Sequence, residues 1–207
     1  IKPTAFKHTG VFPEQEMNWK FIKDRVKNQK VKENLEPIKV LNLFGYTGGA
    51  TMAALSAGAE VVHVDGSKSA IIWAKENAAL SNLDKKPVRW IIDDARKFVQ
   101  REIKRNSKYD GIIMDPPSFG RGGKGELWKI EKDFLDLLDN CQKILSDNPL
   151  FFIINGYSAG YSSIAYYNAL NPLMKKYGGN FEIGELTIEE SSSKRLLPCG
   201  IFIRWFK

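Results

Sequence analysis

From residue 37 onward, short runs that are apolar almost throughout alternate with longer stretches whose apolar residues recur at helical spacing. The runs predict strands at 39–44 (KVLNLF), 61–65 (VVHVD), 88–92 (VRWII), 110–114 (DGIIM) and 150–155 (LFFIIN). The helical spacing predicts helices at 48–58, 67–83 with Ser67 as a candidate N-cap, 95–106, 126–145 and 163–178, the last interrupted near Pro172. Two final runs, 181–190 and 200–206, have no helix between them, so the last strand is expected to run antiparallel. Strands without a polar face need cover on both sides, which implies one doubly wound α/β domain with a mostly parallel sheet. Residues 1–36 differ. They are charged, rich in lysine and weakly periodic, apart from HTGVFPEQEMNWKFI (8–22), which predicts a turn leading into a helix. We expect them to form an N-terminal cap segment on a domain spanning 37–207.

The 207 residues suffice for one domain with a full core and are few for two. No apolar run approaches the roughly 20 residues of a membrane-spanning helix, so no membrane partner is expected. Lys plus Arg, 31, exceed Asp plus Glu, 24, giving +7 with the histidines neutral. That balance favours an anionic partner, nucleic acid before membrane, or reflects only a solubilising surface. Cys141 and Cys199 show neither metal-ligand spacing nor a disulfide framework, which fits a cytoplasmic protein with no metal site. His8 and His63 form no site, and His63, inside a strand, is expected to be a satisfied core histidine.

Candidate chemistry gathers at the carboxyl ends of the strands, where open parallel sheets bind ligands. The first strand ends in NLFGYTGGA, whose Gly45, Gly48 and Gly49 allow a tight turn and close approach of backbone amides to a ligand. The second ends at Asp65, an acid placed about twenty residues further on to accept both hydroxyls of a ribose. The third ends in Asp93-Asp94-Ala95, placed to meet an adenine amine. Singly, each has a plain structural reading, since tight turns want glycine and Asp65 or Asp94 can simply begin a helix. In this order they describe an adenosine site. The pattern is neither G-x-G-x-x-G nor the Gly-Lys-Ser/Thr phosphate loop, which disfavours a nicotinamide enzyme or an ATPase.

With VLNLFGYTGGATMAALSAGA, VDGSKSAIIWAKENA, DDARKFV, IMDPPSFG and the upstream GVFPEQ, the chain resembles the class I S-adenosylmethionine (SAM)-dependent methyltransferases. Within them it is similar to the branch containing the bacterial 23S ribosomal RNA large-subunit methyltransferases. The resemblance implies a Rossmann-like, seven-stranded sheet with an antiparallel last strand, and SAM as cofactor. It implies that Phe44, Gly45, Tyr46, Thr47 and Gly48 surround the methionine part of SAM, and that Asp65, with Gly66 and Ser67 after it, meets the ribose. Asp94 and Ala95 would meet the adenine, and the GVFPEQ segment, through Phe12 and Gln15, would close over the cofactor. Longer relatives carry an RNA-binding domain upstream of this core.

The fourth strand ends in Asp115-Pro116-Pro117-Ser118-Phe119, beside the first strand and so beside the methyl group. Methyl transfer from a sulfonium is an in-line displacement that depends on position more than on acid–base power. Asp115 and a carbonyl held by Pro116-Pro117 could accept hydrogen bonds from a base edge, and Phe119 could stack on its face, unless Phe119 is a core residue below an ordinary turn. Arg121 and Lys124 in GRGGKG are candidates for phosphate contact, or belong to a solvated linker. Relatives that make 5-methylcytosine carry a cysteine nucleophile after the fifth strand. Here that place holds Asn155-Gly156-Tyr157-Ser158, and neither Cys141 nor Cys199 lies near DPPSF. A nitrogen acceptor, methylated directly, is therefore expected, and the family resemblance with the basic balance implies that it belongs to an RNA base, with ribosomal RNA favoured. The alternatives are a small-molecule or protein methyltransferase, or a non-catalytic SAM-binding module that partners RNA. The residues leave the oligomeric state open.

Overall fold

The computed structural model describes residues 9–32, 37–122, 125–158 and 160–207. His8, Lys124 and the junction at 36/37 lie outside them. The first strand, β1 (Lys39–Leu43), is central. The chain moves outward through α2 (Gly49–Ser56), β2 (Glu60–Asp65), α3 (Lys68–Leu80) and β3 (Val88–Ile92), then returns by α4 (Ala95–Lys104) to β4 (Gly111–Met114) on the other flank of β1. It continues through a small hairpin, β5 (Phe119–Arg121) with β6 (Leu127–Lys129), then α5 (Ile130–Lys143), β7 (Phe151–Gly156), α6 (Ser163–Met174), β8 (Asn180–Glu189) and β9 (Leu196–Phe206).

The seven-stranded sheet has the order β3-β2-β1-β4-β7-β9-β8. Pairing is parallel from β3 to β7, and β9 runs antiparallel to both its neighbours, as expected. Strand order reverses between β1 and β4, so their carboxyl ends open the crevice where a ligand is expected.

Side-chain alternation builds two cores. Leu41, Val62, Ile112 and Phe152 face α4 and α5 through Phe98, Leu137 and Leu138. Their neighbours Val40, Val61, Ile113 and Phe151 face α2 and a further helix, α1 (Glu16–Lys32), through Leu55, Ile22 and Val26.

Three elements depart from the expected boundaries. The helix expected from residue 126 begins at Ile130, because Leu127–Lys129 pairs with Phe119–Arg121 instead. Pro172 is carried inside α6, which ends in a short 3-10 turn at Lys175–Tyr177. The last strand starts at Leu196 rather than Gly200, and with β8 forms a ribbon running beyond β7, whose pairing with β9 stops at Gly156.

Candidate active site

The turn after β1 is tight enough to force unusual backbone. Phe44 and Tyr46 adopt φ of 56° and 48°, and Gly48 one of 88°. Left-handed backbone costs a residue with a side chain roughly 1–2 kcal/mol, and such strain tends to collect at ligand sites. Gly45, between the two, lies flat on the buried His63, and a Cβ there would come within 2.5 Å of the imidazole. The His63 Nδ1 bonds the Thr51 hydroxyl at 2.8 Å, and Thr51 in turn accepts from Asn42 at 2.9 Å. Burial pushes the His63 pKa down to about 3, so the ring stays neutral and serves as the floor of the turn. The Tyr46 backbone acts on the same ring against the effect of burial, so this core histidine is engaged by Thr51 and by the turn above it. Gly45→Ala is expected to displace this turn and abolish detectable SAM binding by calorimetry while the fold persists. Unchanged binding would remove the turn from the site.

Asp65, at the end of β2, is organised by backbone. One oxygen accepts from the Tyr46 amide at 2.9 Å and the other from the Ser67 amide at 2.8 Å. Each oxygen keeps a lone pair for a vicinal diol. Burial raises the Asp65 pKa, and the two amide bonds act against that rise. Ser67 caps α3 by accepting from the Ala70 amide at 3.3 Å.

At the end of β3, Asp94 does what a helix start does. Its carboxylate accepts from the Arg96 and Lys97 amides and pairs with the Arg96 guanidinium at 2.8 Å. Burial works against that charge, but the bonds from Arg96 and Lys97 outweigh it and hold the carboxyl below its usual value. Asp93 is paired with Arg101.

These strand ends meet in one cavity of about 1000 Å³, at the upper end of the roughly 300–1,000 Å³ of small-ligand sites. Every site residue predicted from the sequence and described here lines it, except Phe119. Phe119 is 53% exposed at the base of the β5–β6 hairpin, so it belongs neither to the cavity wall nor to the core. Arg121 lines the cavity and is exposed.

Two covers bound the cavity. Over the Asp65 and Asp94 side lies the hairpin, whose Gly122 Cα would be 3.6 Å from a Cβ on Gly66, and whose Glu126 pairs with Lys97 at 2.6 Å. Over the β1 turn lies the upstream segment. Thr47 donates to the Gly10 carbonyl at 2.5 Å, and the Phe12 ring sits 5.8 Å from Tyr46 and 5.6 Å from Tyr157.

Asp115 stands where β4 ends, and part of its surface opens to the cavity. Protein surrounds the carboxyl itself, so burial first and the Glu14 carboxylate second push its pKa up to about 7. The buried Trp128, whose helical spacing hid it, packs on Phe44 at 5.1 Å and donates its indole N–H to the Pro117 carbonyl at 2.6 Å. That leaves the Pro116 carbonyl, which meets no donor among the described residues. Sequence reasoning also missed Tyr157, Glu14 and Asn155. Tyr157 and Asn155 line the cavity; Glu14 is buried behind it and bonds Tyr157. No cysteine lines the cavity; Cys141 is fully buried in α5, where burial pushes its thiol well up.

Adenosine fits this frame. A carboxylate whose two oxygens are each held by one amide could take a diol, and the strained turn with Gly45 and Gly48 could bring backbone close to the remainder. The comparisons with known proteins agree. Residues 12–161 match the profile of the family described as S-adenosylmethionine-dependent methyltransferase. The chain is 39% identical over 127 residues to the ribosomal RNA large subunit methyltransferase K/L of Pseudoalteromonas atlantica, covering 60% of this chain and 18% of that protein. It is 31% identical over 137 residues to the large subunit methyltransferase K of Neisseria meningitidis, covering 65% and 39%. The chain thus spans a fifth to two fifths of these relatives' length. A SAM-dependent methyltransferase of Agrobacterium tumefaciens superposes with a TM-score of 0.92 at 45% identity, over 98% of this chain and 65% of that one. No helix among the described residues is long and apolar enough to cross a membrane. The chain belongs to the S-adenosylmethionine-dependent methyltransferases.

Proposed function

We propose that this chain methylates a nitrogen of an RNA base, with ribosomal RNA favoured, by direct displacement. The observation that carries this reading is that, at the end of β4, the Trp128 indole takes the Pro117 carbonyl while Asp115 and Pro116 line a cavity in which no thiol of the described residues takes part. Two adjacent acceptors suit an edge bearing N–H, whereas carbon methylation of cytosine needs a covalent nucleophile. SAM, when bound, supplies an electrophilic methyl group, and the residues named above supply its seat. Asp65 would hold the ribose, the Phe44–Gly48 turn the methionine part with Phe12 and Gln15 closing over it, and the Asp94–Ala95 end of β3 the adenine. Residues 37–207 would carry this chemistry, with the preceding segment as its cover.

The RNA assignment draws on the relatives' names, on the +7 balance, and on Arg121 at the rim, with Phe119 exposed to a base arriving from solvent. Lys124, beyond the described residues, would add a phosphate contact. The two unpaired cysteines suit a cytoplasmic setting.

The test is nucleoside mass spectrometry of unmodified ribosomal RNA after incubation with the protein and labelled SAM. A methylated nitrogen is expected, from the wild type and from a Cys141→Ser, Cys199→Ser double variant alike. RNA binding should weaken with salt, and Arg121→Ala should reduce the slope of log K against log salt by about one phosphate contact. A 5-methylcytosine product, or a covalent adduct with 5-fluorocytosine RNA, would sink the mechanism. Methylation of a small amine or protein in place of RNA would sink the substrate class.

A further inference from the structure

A chain of buried polar side chains runs from the last strand to the cavity. Arg204 on β9 is 4% exposed, and its guanidinium lies over the Phe21 and Phe202 rings at 4.8 and 4.3 Å. Outward it pairs with Glu182 at 3.0 Å, and inward its Nε–H donates to the Asn18 Oδ1 at 2.7 Å. Asn18, 2% exposed in α1, gives both its amide hydrogens away, one to the Gln15 Oε1 and one to the Asn155 Oδ1, each at 2.8 Å. The Gln15 Nε2 then donates to the Tyr157 hydroxyl at 2.8 Å.

The sense of each bond is forced. Guanidinium can only donate, so Asn18 must turn its oxygen to Arg204 and its nitrogen the other way. Gln15 must therefore turn its oxygen to Asn18 and its nitrogen to Tyr157. Tyr157 accepts from Gln15, so its own hydroxyl hydrogen is left for another acceptor. The Glu14 carboxylate, buried behind the cavity, hydrogen-bonds Tyr157, and Asp115 is close enough for its charge to act on the phenol. Burial and these two carboxylates hold Tyr157 protonated, so it stays a donor.

We propose that Arg204 and Asn18 are positioning residues of the methyl-transfer site: they fix Gln15 and the donor direction of Tyr157, and with them the Gly10–Gln15 cover over the cofactor. This rests on reading the cavity as the SAM site. Removing Arg204 alone would leave the buried Asn18 Oδ1 without its donor and so costs stability as well. Tyr157→Phe, which keeps Arg204 and Asn18 in place, separates the proposal from a merely structural role.

The test is calorimetric binding of S-adenosylhomocysteine, the demethylated product, to wild type, Arg204→Met, Asn18→Leu and Tyr157→Phe, with melting temperatures and hydrogen exchange over residues 10–16. Wild-type binding examines the SAM reading by itself. Given that binding, Arg204→Met is expected to bind at least tenfold more weakly, with faster exchange in 10–16 and a lowered melting temperature. Tyr157→Phe, at a partly exposed position, is expected to shift affinity in the same direction. The Arg204→Met, Tyr157→Phe double variant is expected to lose less than the sum of the two, because one chain of bonds is being cut twice. Unchanged affinity in a folded Arg204→Met or in Tyr157→Phe, or strict additivity in the double variant, would overturn the proposal.

Discussion

Asp65→Ala is expected to weaken SAM binding by about 1.5–3 kcal/mol, the range for hydrogen bonds to a charged group. The magnitude follows from how the carboxylate is held. The Tyr46 and Ser67 amides take one lone pair of each oxygen, so the group is oriented before any ligand arrives, and its remaining lone pairs diverge towards the cavity. Little ordering is left for binding to bear, which is where preorganisation gains affinity. The same two amides would lose their acceptor in the alanine variant, so the Tyr46 end of the turn should loosen as well. Asp65→Asn is the sharper control. It keeps the volume, but its NH₂ must face one of the amides or one of the ribose hydroxyls, and a deficit of at least half the alanine value is expected. Calorimetry showing wild-type affinity in a folded Asp65→Ala would take Asp65 out of the site.

The parts of this site that local chemistry dictates were legible in the sequence. An apolar run ending in glycines, or in Asp65 or Asp115, announces a strand end whatever the rest of the chain does, and alternating strand and helix patterns imply the parallel order. The parts set by distant pairing were not. Leu127, Trp128 and Lys129 continue the helical spacing of Ile130 and Phe134, and only their pairing with Phe119–Arg121 makes them a strand. That pairing turns Trp128 inward to the Pro117 carbonyl and leaves Phe119 facing solvent. Asn18, Asn155 and Arg204 were equally silent, for their bonds join residues 137 and 186 positions apart. Asp94 shows the opposite case. Its competence to cap a helix was visible, and the structure uses it for that while keeping it on the cavity wall.

Asp115→Ala is expected to lower turnover by on the order of 10²–10⁴-fold, the range for a positioned proton acceptor, with SAM affinity changed far less. The ionisation of this group adds a signature that a merely shape-giving residue would not show. Burial, then the Glu14 charge, raise its pKa from 3.8 to about 7. If the carboxylate is the working form, kcat/KM should rise with pH through about 7 and fall away below it. Glu14→Gln removes the second cause and should move that limb to lower pH. Stability carries the opposite sign. Between 3.8 and about 7 the folded protein holds a proton that the unfolded chain has released. The stabilising contribution is therefore complete below 3.8 and is lost as pH rises through about 7, leaving a buried charge in the native state. Asp115→Asn, which cannot ionise, is expected to melt higher than wild type at pH 8, with the gap narrowing as pH falls and closing only below 3.8, while its kcat/KM loses the limb near 7. Wild-type turnover in the alanine variant, or the same limb surviving in the asparagine variant, would assign that proton to another group. The pH dependence and the melting shift have one origin, since the enclosure that makes Asp115 a good acceptor at neutral pH is also what makes its charge expensive to hold there.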